Sequence, residues 1–223
     1  MIDNRSTSLA PAGNVRQLIR PALVSAVLFM LLTGLAYPLA TTGLAQLLFP
    51  VQAGGSLIGH HDQWSGSALI GQDFKQARYF HPRPSATTGT DPANASLTVD
   101  QPYNAALSGA SNLGPTSKKL FDQVSARARA YRNENHLAAA ALVPVDAVTA
   151  SASGLDPDIS LANAHLQVER VANVRGLSAP QVQALVDKQT SPRQLGVLGE
   201  PRVNVLQLNL ALDAMAARAV ATP

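Results

Sequence analysis

Positions 21–50 hold no charged residue, and 22–35 reads ALVSAVLFMLLTGL, an almost unbroken apolar run. A helix crossing the hydrocarbon core of a bilayer needs about 20 predominantly apolar residues, so this run is long enough to span. It is long enough even if Pro38 bends or ends the helix. The pattern divides the chain into a stub at 1–17, a transmembrane anchor at 18–49 and a long soluble domain at 50–223. A cleaved leader would have a shorter apolar region, about 7–15 residues, ending at a small-x-small site. Leu39-Ala40-Thr41 and Leu44-Ala45-Gln46 are poor sites of that kind, and Leu47, Leu48 and Phe49 continue the run. An uncleaved anchor is the expectation.

Beyond the anchor the apolar periodicity is weaker. Residues 54–59 read as a loop, and 67–70 and 78–80 as short strands. Residues 82–112 are rich in Pro, Ser, Thr, Gly, Asn and Ala with little periodicity. That is long for a structureless loop and is expected to order only against a partner. Over 116–131, Leu120, Val124, Ala128 and Tyr131 recur at helical spacing behind Pro115. Val145, Val148 and Thr149 predict a strand at 143–151, and 153–158 a tight turn. Ser160 is placed to cap a helix from Leu161 to about Val174, stopped by Gly176. Ser178-Ala179-Pro180-Gln181 is a capping-box pattern leading a helix that bears Val182, Leu185 and Val186. At 203–219 a hint of alternation competes with Ala- and Leu-rich length, and the length favours helix. The fold class expected is α+β: one N-terminal transmembrane helix, then a single helix-rich mixed α/β extracytoplasmic domain.

Charge decides the side. Arg5, Arg16 and Arg20 precede the run against Asp3 alone, and the next basic residue after it is Lys75. Basic residues beside a span stay cytoplasmic, so the stub is expected inside and the domain outside, periplasmic in a bacterium with two membranes. The whole chain carries a net +3, of which +2 sits in the first twenty residues. The basic balance therefore does not indicate nucleic-acid binding, and no basic stripe with interleaved aromatics is present. Cysteine is absent from the 223 residues, which excludes disulfides, a thiol nucleophile and Cys-ligated metal.

Candidate chemistry is sparse. There is no phosphate-cradling Gly-rich Lys loop and no Asp-Lys-Thr-Gly run, so any ATP hydrolysis belongs to another chain. Asp156 and Asp158 form a D-x-D pair that suits a cation or, more simply, an Asx-type turn; calcium requires more oxygen donors. Ser151, Ser153, Asp156 and His165 can be combined into a hydrolase triad, and Ser111 lies in a run that misses the G-x-S-x-G elbow by one residue. Adjacent His60 and His61 point apart, and His81, His136 and His165 stand alone. Glu200-Pro201-Arg202 and Glu169-Arg170 read as surface or internal ion pairs, or as interface anchors. No metal ligand set and no catalytic residue is assigned.

The chain resembles the C subunit of the bacterial Kdp potassium-transporting P-type ATPase over nearly its whole length. The motifs that carry the resemblance begin with Arg20-Pro21-Ala22 and Thr33-Gly34-Leu35-Ala36-Tyr37-Pro38. They continue through Gly66-Ser67-Ala68-Leu69-Ile70-Gly71-Gln72, Tyr79-Phe80-His81-Pro82-Arg83-Pro84-Ser85 and Ser111-Asn112-Leu113-Gly114-Pro115. They end with Val148-Thr149-Ala150-Ser151-Ala152-Ser153-Gly154-Leu155-Asp156-Pro157, Leu198-Gly199-Glu200-Pro201-Arg202-Val203-Asn204-Val205-Leu206 and Leu208-Asn209. The sequence departs from the family pattern at Gly109-Ala110, Asp158 and Ser160-Leu161.

The resemblance implies a non-catalytic subunit that aids assembly and, as a catalytic chaperone, raises the ATP affinity of the pump subunit. Its partners would be a channel-like potassium-translocating subunit, a P-type ATPase subunit and a small hydrophobic subunit. It implies no bound cofactor of its own, while the complex uses ATP, Mg2+ and K+. Leu107-Ser108-Gly109-Ala110-Ser111 loosely resembles the ABC ATPase signature; with the domain outside, an influence on ATP is expected to be indirect. Asn112, Gly114, Pro115, Ser153, Gly154, Asp156, Pro157, Arg170, Glu200 and Arg202 are the candidate structural or interface residues. Gly34, Ala36, Ala40 and Gly43 are small enough to let partner helices approach. The competing reading is a membrane-anchored periplasmic hydrolase using Ser153 or Ser111.

Overall fold

The computed structural model describes residues 15–60 and 63–221, so His61 and the stub residues Asp3 and Arg5 lie outside it. It divides into two units, residues 1–55 and 56–223.

The first unit is a helix. Its Arg16–Leu48 stretch is 33 residues long, about 50 Å at 1.5 Å per residue, more than the hydrocarbon core of roughly 30 Å. It comprises α1 (Val15–Leu31), a π-helical turn (Leu32–Ala36) and α2 (Tyr37–Leu48). Pro38 does not end it. The π-turn lets the Tyr37 amide bond the Leu32 carbonyl, five residues back, and Pro38 then enters the first turn of α2, where a missing N–H is tolerated. A short α3 (Pro50–Ala53) closes the unit.

The second unit opens with a hairpin, β1 (Leu57–His60) and β2 (Gln63–Ser67), bulged between Ile58 and Gly59. A second small hairpin pairs β3 (Thr88–Thr90) with β4 (Thr98–Asp100). Then come α4 (Lys118–Glu134), α5 (Val145–Val148), β5 (Asp158–Ser160), α6 (Leu161–Arg175), α7 (Ala179–Gln189), β6 (Thr190–Ser191), β7 (Arg202–Asn204) and α8 (Val205–Ala221). The antiparallel sheet β5-β7-β6 joins α6, α7 and α8 around one core. Phe80, Val171, Val182, Val186, Val203, Leu208 and Leu212 there are fully buried, each contributing about 1.5–3 kcal/mol by transfer from water. Apart from Phe80 the fully buried group is aliphatic, in keeping with the scarcity of aromatics.

The local signals around α6 act as expected. The Ser160 hydroxyl accepts from the Asn163 amide, and Gly176 stops the helix at φ +65. Ser178 and Gln181 form the capping box of α7. Other expectations need correction. Residues 143–151 contain a helical turn, α5, not a strand: Pro144 starts it, and the Thr149 hydroxyl bonds back to the Val145 carbonyl at 2.7 Å. The strand expected at 67–70 ends at Ser67, and the loop expected at 54–59 yields to β1 from Leu57. At 203–219 both signals are real, each over its own part. Val203 lies in β7, and Asn204 then caps α8 by accepting from the Gln207 amide at 3.0 Å.

Residues 78–80 form no strand, although all three of their carbonyls and the amides of Tyr79 and Phe80 are hydrogen-bonded. Asn209 bonds both the amide and the carbonyl of Phe80, at 2.9 and 3.0 Å. Gln167 does the same for His81, at 2.8 and 3.2 Å. Carboxamides from α8 and α6 thus stand where a neighbouring strand would be.

Candidate functional site

The segment at 151–158 folds into a nest of short turns. Ser151 accepts from the Gly154 amide, Ser153 from Leu155, and Asp156 from Asp158, at 2.9, 3.1 and 3.0 Å. Gly154 is buried at φ +68, and a Cβ there would meet the Gly109 carbonyl and a Thr87 methyl, each at 2.6 Å. Only glycine satisfies both the left-handed backbone and that close approach.

With its own turns closed, the nest gathers other parts of the chain. Arg83 pairs with Asp156 at 2.7 Å, the Ser85 hydroxyl donates to the Gly154 carbonyl at 2.7 Å, and the Gly109 amide donates to Ser153 at 2.9 Å. The amides of Gly71 and Val205 bond Leu155 and Pro157. Residues 82–112 are therefore folded onto this chain itself, correcting the expectation that they order only on a partner. Their low periodicity reflects a segment held by polar bonds to a turn rather than by an apolar face. The structure joins Ser153, Gly154, Asp156 and Pro157 in this nest. Asn112, Gly114 and Pro115 lie on an exposed stretch leading into α4, with Asn112 at φ +50.

Behind the nest lies a cleft of about 470 Å3, walled by Phe74, His81, Arg83, Tyr103, Arg127 and Glu134 among others. Its charges are of mixed sign. The His81 ring holds the Glu134 carboxyl below its usual range, and burial pushes the Tyr103 and Tyr131 hydroxyls up. Arg170, which bonds the cleft residues Asn135 and Gln167, is itself 3% exposed. Its guanidinium donates to Asn135, Gln167 and the carbonyls of Ala77 and Tyr79. Burial lowers its hold on the proton, against the pull of Glu134. A guanidinium so enclosed acts inside the fold. Sequence reasoning missed Gln167, which accepts from this guanidinium, and Asn209, which holds the Phe80 backbone. Their signal was present: Asn163, Gln167 and Arg170 put polar groups on the buried face of α6.

The hydrolase constellation is not assembled. Ser153 faces Ser151 and the Leu155 amide, Asp156 is held by Arg83, and the acid beside His165 is Asp187 at 3.5 Å. The D-x-D pair is divided, because Asp158 starts β5 and pairs with Arg202 at 2.9 Å. Burial nonetheless pushes the Asp158 carboxyl up, outweighing that Arg202 contact. Among the described residues no group of three or more His, Cys, Asp or Glu is placed to hold a metal ion. Glu200 pairs with Arg193 at 2.5 Å at the foot of an exposed loop whose tip is Leu195, 89% exposed.

A family model described as the c chain of the K+-transporting ATPase, KdpC, matches residues 19–214. The chain is similar to proteins named potassium-transporting ATPase KdpC subunit. In two strains of Rhodopseudomonas palustris the identity is 58% over 200 residues (90% of this chain, 98% of the relative) and 60% over 196 (88% and 96%). In Methylobacterium nodulans it is 56% over 202 residues, 91% of this chain and 99% of the relative.

Proposed function

The chain belongs to the KdpC family, the c chain of the K+-transporting ATPase, and on that footing we propose how it serves the complex. It is an accessory subunit of a potassium transport complex and not its catalytic chain. Its anchor packs beside helices of a channel-like potassium subunit, a P-type pump subunit and a small hydrophobic subunit. Its domain lies outside, near the potassium entrance. It stabilises the assembly and raises the pump subunit's affinity for ATP by coupling between distant sites. The complex uses ATP, Mg2+ and K+; this chain hydrolyses nothing.

The observation that carries this reading is the family match running from the anchor into α8, residues 19–214. Physical features support it. The anchor has Arg16 and Arg20 at one end and no basic residue at the other, as an inside-to-outside span requires. In the π-turn the Tyr37 amide goes to Leu32 and Pro38 has no N–H, so the Thr33 carbonyl lacks an intrahelical donor. In hydrocarbon such a group must find a partner, and Gly34, Ala36, Ala40 and Gly43 leave room for a neighbouring helix.

The test is recovery of the chain from mild-detergent membranes by a C-terminal tag, with mass spectrometry and a potassium-stimulated ATPase assay. Co-purification of a multi-span carrier and a P-type ATPase, with activity that rises at limiting ATP when this chain is present, is the expected result. Recovery of the chain alone overturns the reading.

A further inference from the structure

The cleft behind the nest carries more positive charge in its walls than the neighbouring acids neutralise. Lys75 pairs with Asp73 at 2.8 Å, the His81 ring with Glu134 at 3.2 Å, and Arg83 with Asp156 at 2.7 Å. Arg127, which joins the wall from α4, has no carboxylate partner among the described residues. One terminal nitrogen donates to the Val148 carbonyl at 3.1 Å, and the rest of its five-donor fork is unused there. Burial weakens its hold on the proton, with no acid offsetting the effect. A partly buried cation in this state is costly until an anion pairs with it.

A second donor in the same walls is orphaned. Arg83 commits Nη1 to Asp156, while its Nε is buried with no hydrogen-bond partner. Folded proteins nearly always supply such a group with an acceptor. The remaining wall is largely apolar, formed by Phe74, Pro82, Pro84, Pro102 and the rings of Tyr103 and Tyr131. Both tyrosine hydroxyls are already spent, on the Arg83 carbonyl and on Asn163. We propose that this cleft binds a small organic monocarboxylate, its charge paired with Arg127 and its apolar body lying on Phe74 and the tyrosine rings. The unused Nε of Arg83 is the second donor the walls hold for it.

Charge and size select that ligand class. The surplus is a single positive charge, which matches a monoanion. Asp73 and Glu134 line the same cleft and oppose the second charge of a phosphate or a dicarboxylate. A planar guanidinium fork fits a planar carboxylate through two parallel hydrogen bonds. The volume of about 470 Å3 falls in the range of small-molecule sites, roughly 300–1,000 Å3, and suits an aromatic or branched aliphatic acid. The walls come from residues 73–85, residues 102–103 and α4 among others, so the bound acid ties these segments together. The proposal goes beyond the subunit reading and does not depend on it.

The experiment titrates the purified full-length chain in detergent by calorimetry at constant ionic strength. The probes are sodium benzoate, its uncharged isostere benzamide, and inorganic phosphate. The expected result is saturable one-to-one binding of benzoate with a Kd that is roughly millimolar or tighter and a raised melting temperature at saturation. Benzamide and phosphate should bind weaker by about tenfold or more. Arg127→Gln should weaken benzoate by about tenfold or more. Arg129→Gln, at an exposed arginine of the same helix outside the cleft, should bind as wild type does. On wild type, photoreactive 4-azidobenzoate should label Phe74, Tyr103 or Tyr131, a readout that stands even if Arg127→Gln fails to fold. No saturable benzoate binding to wild type overturns the proposal, and phosphate binding as tightly as benzoate overturns the carboxylate class. Unchanged affinity in folded Arg127→Gln, or labelling away from the cleft, overturns the site.

Discussion

Arg170 does what a strand partner would ordinarily do. Its guanidinium, with the carboxamides of Gln167 and Asn209, holds the backbone of residues 77–81 against α6 and α8. Replacing it with lysine keeps the charge but loses the planar fork, leaving buried carbonyls unpaired. Arg170→Lys should lower unfolding stability by about 2–4 kcal/mol, read by denaturant melts. A change below the error of the melt would show that the clamp is dispensable. Glu134 predicts a pH effect. The hydrogen bond from His81, less the opposing effect of burial, sets its folded carboxyl below the usual value. Its contribution to stability is therefore complete above the unfolded value of about 4.3 and is lost as pH falls through the lower, folded one. Melts of Glu134→Gln should show a shallower acid slope than wild type and match it in shape at neutral pH. These residues were legible only as anomalies: an Arg, a Gln and an Asn on a helix face where periodicity calls for aliphatics.

Capping governs the elements. Ser160, Gly176, Ser178 and Gln181 delimit α6 and α7 as their chemistry requires, because caps are local and act across a few residues. Asn204 marks the start of α8 in the same way, a signal obscured by the longer apolar pattern around it. The anchor shows the reverse, since Pro38 reads as a break and the π-turn absorbs it. Pro38→Ala restores an amide to this region, lets the helix revert toward regular α geometry and rotates Ala40 and Gly43 relative to Gly34. Helix content by circular dichroism should hold or rise while retention in the complex drops severalfold. Undiminished retention would remove the π-turn from the packing argument.

The whole molecule is a spanning helix and a domain with its own aliphatic core. Absence of cysteine makes its topology directly measurable. A single cysteine at position 142, where Leu142 is 91% exposed, should react with a membrane-impermeant maleimide in intact cells, whereas one at Gln17 should react only after lysis. The opposite pattern would reverse the proposed orientation. The sequence alone determined the anchor, the α+β class, the family and the helix caps, because apolar run length, charge flank and capping chemistry are written in consecutive residues. Only the tertiary structure decided that residues 78–80 pair with side chains instead of a strand, that residues 82–112 fold onto the 151–158 nest, and that Arg170 is interior. It also decided that Leu195, Val197 and Leu198 stay exposed on the loop between β6 and β7. Each of these depends on which distant residue supplies a hydrogen bond or withholds a covering surface: Arg170 is 93 residues from Ala77, and Asn209 is 129 from Phe80. No local periodicity encodes a partner that far along the chain.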